Sequence, residues 1–181
     1  MRIRPALASD AASLAAIYGH HVLHGLGTFE EVPPTPEDMA GRLAAVTRWG
    51  LPYLVAEIDE AVAGLAYAGP FRPRAAYRYS VEDSVYIAPD RIGQGVGKAL
   101  LGAVIAACEA MGLRQMVAMI GDSGNAGSIG LHRSMGFAPA GLLPAVGYKH
   151  GRWVDVVQMR RPLNAGADAA PDGAGLPLSG H

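Results

Sequence analysis

A single cysteine, Cys108, is all the thiol chemistry this 181-residue chain possesses. No intrachain disulfide can form, and a chain of this length buries roughly 70% of its unfolded surface, enough for a core without covalent staples. The lone thiol suits a reducing cytoplasm. Aromatic residues are sparse at 7%, charged residues make up only 17%, and 15 Lys and Arg nearly balance 16 Asp and Glu. Without a basic run, the chain lacks the electrostatic footprint that nucleic acid or an anionic membrane attracts. Nor does any stretch approach ~18 consecutive apolar residues, and the opening MRIRPALASD has no apolar segment behind its charge. One soluble, unprocessed cytoplasmic protein is expected.

Composition shifts once, near Pro162. Residues 164–181 (NAGADAAPDGAGLPLSGH) are dominated by Ala, Gly and Pro, and such a segment is expected to be a flexible tail behind a domain of residues 1–163. Within that domain Arg2–Pro5 reads as a strand. Asp10 is expected to cap a helix with an apolar stripe at Leu14, Ile17, His21 and Val22, and Thr35-Pro36-Glu37-Asp38 opens a second helix burying Met39, Leu43 and Val46. Tyr53–Ile58 and Val62–Ala68 form a hairpin about Asp59-Glu60. Val81–Ala88 follows as a strand with Val81, Asp83, Val85 and Ile87 on one side and Glu82, Ser84 and Tyr86 on the other. A glycine loop then leads into a helix with Val96, Leu100, Val104, Ala107 and Met111 at helical spacing, and Arg114–Ile120 is the next strand. That strand, helix and strand make a crossover unit, which places its two strands parallel. Asn125 caps a short helix carrying Ile129, Leu131, His132 and Met135. A hairpin turning near His150-Gly151-Arg152 ends the domain, with Trp153, Val157 and Met159 expected to pack the sheet. The order β-α-α-β-β-β-α-β-α-β-β describes a mixed α/β sheet.

Gly93-Gln94-Gly95-Val96-Gly97-Lys98 lies between a strand and a helix, where bare backbone N–H groups and the positive end of a helix dipole suit a phosphate or pyrophosphate. The spacing is neither G-x-G-x-x-G nor a Walker A loop, and Ala99 follows Lys98 where magnesium would need a hydroxyl, so NAD and ATP are not expected.

Residues 81–137, from VEDSVYIAPDRIGQGVGKALL through NAGSIGLHRSMGF, resemble the GNAT superfamily of acyl-CoA-dependent N-acetyltransferases. The shared pattern is a strand, a Q/R-x-x-G-x-G/A loop, a helix, a strand and an Asn-started helix ending in L-[YH]-x-x-x-G-F. Phe29-Glu30-Glu31, Gly69 to Arg74, Tyr77, Glu82 and Gly147 to Asp155 are similar to its phosphinothricin and methionine sulfoximine acetyltransferase branch. Ile92 stands where the pattern usually has Gln or Arg. The resemblance implies a mostly antiparallel sheet with a splayed parallel pair, and acetyl-CoA bound between the two parallel strands. Main-chain groups of Val85, Tyr86 and Ile87 would face its pantetheine and thioester. Its phosphates would rest on Gly93, Gln94, Gly95, Val96, Gly97 and Lys98, with Asn125 and Ser128 on its other side.

For the acceptor, the resemblance implies Glu82 as the base that relieves the ammonium of its proton and His132 as an acid or base near the sulfur. Arg72, Arg74 and Arg78 would grip a carboxylate or phosphinate with guanidinium forks, and Phe29 would wall the pocket. The terminal hairpin would contribute to a homodimer interface. No metal is expected, since His20, His21 and His24 lack the Glu of H-E-x-x-H and any nearby Cys; Cys108, among alanines, is packing. The alternatives are acetylation of another amine (a polyamine, an aminoglycoside or a protein N-terminus), a non-catalytic acyl-CoA-binding domain, and a simple nucleotide-binding protein.

Overall fold

A computed structural model describes residues 1–178. The strands are β1 (Arg2–Pro5), β2 (Tyr53–Ile58), β3 (Ala61–Pro70), β4 (Ser80–Ile87), β5 (Gln115–Gly121), β6 (Ala138–Lys149) and β7 (Arg152–Pro162). The helices are α1 (Ala11–His24), α2 (Pro36–Thr47), α3 (Val96–Ala110) and α4 (Ala126–Ser134). One sheet runs β1-β2-β3-β4-β5-β7-β6, antiparallel throughout except where β4 meets β5. The element order is the expected one.

Period-two alternation divides the core between the two faces of the sheet. Val55 and Leu65 point to α1 and α2, where they bury Leu14, Ile17, Tyr18, Val22, Met39 and Leu43; their neighbours Ala56 and Ala66 point to α3, against Leu100, Leu101, Val104 and Cys108. Small alanines on the α3 side let that apolar helix lie close. The Thr35 hydroxyl accepts from the Asp38 amide while the Asp38 carboxylate accepts from the Thr35 amide, so α2 starts at a reciprocal cap. Both hairpins turn in two residues with positive φ, Asp59-Glu60 and His150-Gly151.

Four sequence expectations differ from the structure. Asp10 precedes α1 but makes no side-chain cap: its carboxylate takes a bidentate bond from Arg4 and one from the Leu7 amide, because a short 3-10 turn precedes the helix. The buried stripe of α3 uses Leu101, Ile105 and Cys108 and leaves Met111 exposed, since the helix ends before it. Trp153 does not pack the sheet; it is 65% exposed on the outer hairpin, beside Tyr148 at 60%. Residues 164–178 lie along the body: Leu176 is only 3% exposed, its amide donates to the Arg78 carbonyl, and the Tyr79 hydroxyl donates to the Gly173 carbonyl. Overall composition hides two well-placed leucines, Leu176 and Leu178, that pack onto the α3-side core. Residues 179–181 of the expected tail lie outside the described residues.

Candidate active site

The site exists because the sheet forks. β4 and β5 pair only from Ser80–Gln115 to Asp83–Ala118. Beyond that point β4 stays bonded to β3 as far as Ile87, and β5 to β7 as far as Gly121, so the two strands part while each keeps its outer neighbour. Main-chain groups on the facing edges of Ser84–Ile87 and Met119–Gly121 are left without a strand partner in the middle of the sheet. A cleft of about 1010 Å³ opens there, lined by both limbs of the fork and by α1, the α3 loop and α4.

The glycine loop forms one rim. Gly93 and Gly95 have φ of +79° and +80°, left-handed values that a side chain resists. Their turn aims the chain so that the amides of Gly93 to Lys98 donate to no group of the protein among the described residues. The first amides of α3 have no intrahelical acceptor, and the helix dipole adds positive potential there. Gly93, Gly95, Val96, Gly97 and Lys98 all line the cleft, with Arg91 and Ile92 beside them. Gln94 does not: its side-chain amide turns back to the Asp90 carbonyl, so the residue can offer its backbone alone. A row of free amides at a helix start, with Lys98 and Arg91 close by, suits a diphosphate, and the unpaired strand edges beyond suit the thinner, amide-bearing chain of a thioester carrier. On the opposite side Asn125 caps α4 by accepting from the Ser128 amide, and both residues line the cleft.

Also in the cleft, Glu82 and Arg72 face each other at 3.7 Å. Burial pushes the Glu82 carboxyl above the usual carboxylate range, partly offset by the Arg72 guanidinium, with the charge of Asp83 adding to the rise. Phe29 lines the same cleft. Arg74 and Arg78 do not reach the cleft. A 3-10 turn at Ala75–Tyr77 directs them outward, and the Arg78 guanidinium bonds the Ala75 carbonyl.

His132 lines the cleft with both ring nitrogens engaged, Nε2 with Asp83 Oδ2 at 2.9 Å and Nδ1 with the Ser128 carbonyl at 2.7 Å. Neither nitrogen offers a free lone pair, so the arrangement does not provide a general base at this position. His20, His21 and His24 form no metal-holding group among the described residues. His21 instead enters the site: its Nε2–H donates to the Ile87 carbonyl at 2.8 Å, and burial lowers its pKa.

Around the site, contacts form that no local pattern signals. Tyr18 packs edge-on to Tyr86 and donates to Glu30, which also receives a bidentate bond from Arg42. Lys149 is almost completely buried and donates to the carbonyls of Gly25 and Thr28, pinning the loop that presents Phe29 to the terminal hairpin. Only the apposition of segments more than a hundred residues apart in sequence explains that lysine.

The model of the acetyltransferase (GNAT) family matches residues 21–137. The chain is 56% identical to a phosphinothricin N-acetyltransferase of Alcaligenes faecalis, over 90% of this chain and 83% of that one. It is 44% identical to an L-methionine sulfoximine/L-methionine sulfone acetyltransferase of Pseudomonas aeruginosa, over 90% and 94%. A phosphinothricin acetyltransferase from Sinorhizobium meliloti, solved in complex with AcCoA, superposes with a TM-score of 0.93 at 45% identity, covering 98% of this chain and 96% of that one. The forked sheet and its amide-lined loop accord with these matches, and the chain belongs to the acetyltransferase (GNAT) family.

Proposed function

We propose that the protein transfers acetyl from acetyl-CoA to the α-amine of a small amino-acid-like acceptor such as phosphinothricin or methionine sulfoximine. One observation carries this reading: a part-buried carboxylate, Glu82, lies 3.7 Å from the Arg72 guanidinium in the same cleft as the free amides of Gly93 to Lys98. Arg72 takes the acceptor's acid group and places its ammonium beside Glu82. Glu82, its pKa raised above the usual carboxylate range by burial, accepts a proton from that ammonium, directly or through water. The freed lone pair attacks the thioester carbonyl: a C–N bond forms, and main-chain N–H groups of the Val85–Ile87 limb receive the charge that develops on oxygen. The C–S bond then breaks, the thiolate takes up the second proton, which the attacking nitrogen sheds directly or through water, and Glu82 returns the first to solvent. No step calls for a metal.

The relatives named for phosphinothricin and methionine sulfoximine support an acceptor with an acid group, and so does Arg72, which repels a polyamine or an aminoglycoside. A panel of amines assayed with acetyl-CoA by release of free thiol tests the reading. Methionine sulfoximine or phosphinothricin is expected to turn over well above spermidine; the reverse order overturns it.

Arg72→Gln removes one charged hydrogen-bonding partner worth about 1.5–3 kcal/mol, so the acceptor KM should rise roughly tenfold or more while that for acetyl-CoA stays put. The same variant moves the pH profile. Glu82 must be ionised to act, and its pKa rises further once the guanidinium is gone, so the acidic limb of kcat/KM should shift to higher pH. An unmoved limb would separate Glu82 from the titrating group.

A second copy of the chain is the proposed occupant of the outer hairpin. β6 is an edge strand of 12 residues, and with β7 it exposes Leu142, Leu143, Val146, Tyr148 and Trp153. Such a long apolar edge is an aggregation hazard unless covered, and a twofold contact covers both copies at once. Sedimentation equilibrium should give twice the chain mass; a monomer at micromolar concentration would contradict this. We place the reaction in the cytoplasm, in keeping with the lone buried Cys108 and with the absence of any helix long and apolar enough to cross a membrane among the described residues.

A further inference from the structure

α4 is a helix of nine residues, too short to be stable alone, and His132 is the only residue it buries. Ile129 and Leu131 rest part-buried on the core, so the one deep hold of the helix on the body is whatever receives that ring. The receiver is Asp83, only 6% exposed, which occupies the last paired position of β4 before the fork opens. The two partners of the imidazole are a carboxylate at Nε2 and a carbonyl at Nδ1, both hydrogen-bond acceptors. With an acceptor at each nitrogen, the ring is best satisfied as an imidazolium facing the Asp83 carboxylate.

The surroundings agree. From α4 itself the Ser128 hydroxyl lies 3.4 Å from Nδ1, and the Phe137 ring packs edge-on to the imidazole. From α3, Cys108 faces the pair; burial together with the charges of Asp83 and Glu109 pushes its thiol up to about 12, which leaves it neutral. Glu82 lies on the other face of β4. Burial alone would lower the His132 pKa, but the Asp83 carboxylate and the Ser128 carbonyl outweigh it and raise the value.

We infer that Asp83 is a positioning residue: by holding His132 at the vertex of the β4–β5 fork, it anchors α4 and so sets the α4 wall of the acetyl-CoA crevice. Asn125 and Ser128 stand on that wall, while Arg72 and Phe29 come from other segments. Loss of the anchor should therefore affect one substrate and spare the other. The inference rests on the crevice being the acetyl-CoA site, but its protonation part does not.

The first measurement is 15N NMR of His132 in the unmodified protein at pH 8. Both ring nitrogens are expected to carry protons, and Asp83→Asn should leave only Nδ1–H, with the Asn amide donating to Nε2. The second is kinetic. Asp83→Ala should raise the KM for acetyl-CoA on the order of tenfold with the acceptor KM unchanged, and Asp83→Asn, which can still bond the ring, should restore most of it. A single ring N–H in the unmodified protein at pH 8 overturns the inference. So does an acetyl-CoA KM unchanged in Asp83→Ala, or one that rises in step with the acceptor KM. If Asp83→Ala does not fold, the NMR result and the kinetics of Asp83→Asn decide. Failure of the unmodified protein to use acetyl-CoA would instead count against the proposed function and leave the ring-proton measurement standing.

Discussion

Glu82→Gln should lower kcat/KM by about 10²–10⁴-fold, the usual contribution of a positioned base, while binding of coenzyme A stays within about twofold. The size of the effect follows from the acids available in the cleft. Glu82 and Asp83 are its only carboxylate side chains among the described residues, and Asp83 is committed to His132. Gln fills the same volume and keeps a hydrogen bond to Arg72 within reach, so the change removes basicity with little loss of packing. Calorimetry with coenzyme A and steady-state turnover of methionine sulfoximine read the two halves of the expectation separately. A domain that only binds acyl-CoA would show no turnover to lose. Retention of activity within tenfold would move the base elsewhere.

The second large effect is expected in the glycine loop proposed to hold the diphosphate. Gly95 has φ of +80°, and a β-branched side chain there costs about 1–2 kcal/mol in backbone strain. The loop relieves that strain by rotating, which turns the amides of Gly95, Val96 and Gly97 away from one another. Losing two hydrogen bonds to a charged group removes about 3 kcal/mol, so Gly95→Val should raise the KM for acetyl-CoA by roughly 10²-fold. Turnover at saturating cofactor should fall far less, because Glu82 and Arg72 lie at the other end of the cleft. An unchanged KM would mean that these amides hold nothing.

The parts of this molecule that show in its sequence are those built from neighbours. The Thr35–Asp38 cap, the two-residue turn at His150-Gly151, the Asn125 cap and the alternation that separates Glu82 from Asp83 all depend on residues a few positions apart, and each is present. Gly93 and Gly95 were legible for the same reason. Glu82, Arg72, Phe29 and His132 carried no signal of their own; a family resemblance directed attention to them, and the cleft contains all four. What stayed hidden arises between distant segments. Asp83 meets His132 across 49 positions, Lys149 reaches Gly25 across 124, and His21 reaches Ile87 across 66. Arg74 and Arg78, which the resemblance also implies, flank a 3-10 turn and lie outside the cleft lining. Trp153 escaped because an aromatic on an alternating strand reads alike whether it faces a core or an unpaired edge.

The central claim is that the diphosphate of acetyl-CoA rests on the bare amides of Gly93 to Lys98. A crystal structure of the protein soaked in coenzyme A tests it directly: diphosphate oxygens should lie within hydrogen-bonding distance, about 2.7–3.2 Å, of those amide nitrogens, with the pantetheine running into the β4–β5 fork. Coenzyme A bound elsewhere, or a loop that takes up ATP in its place, would contradict the account.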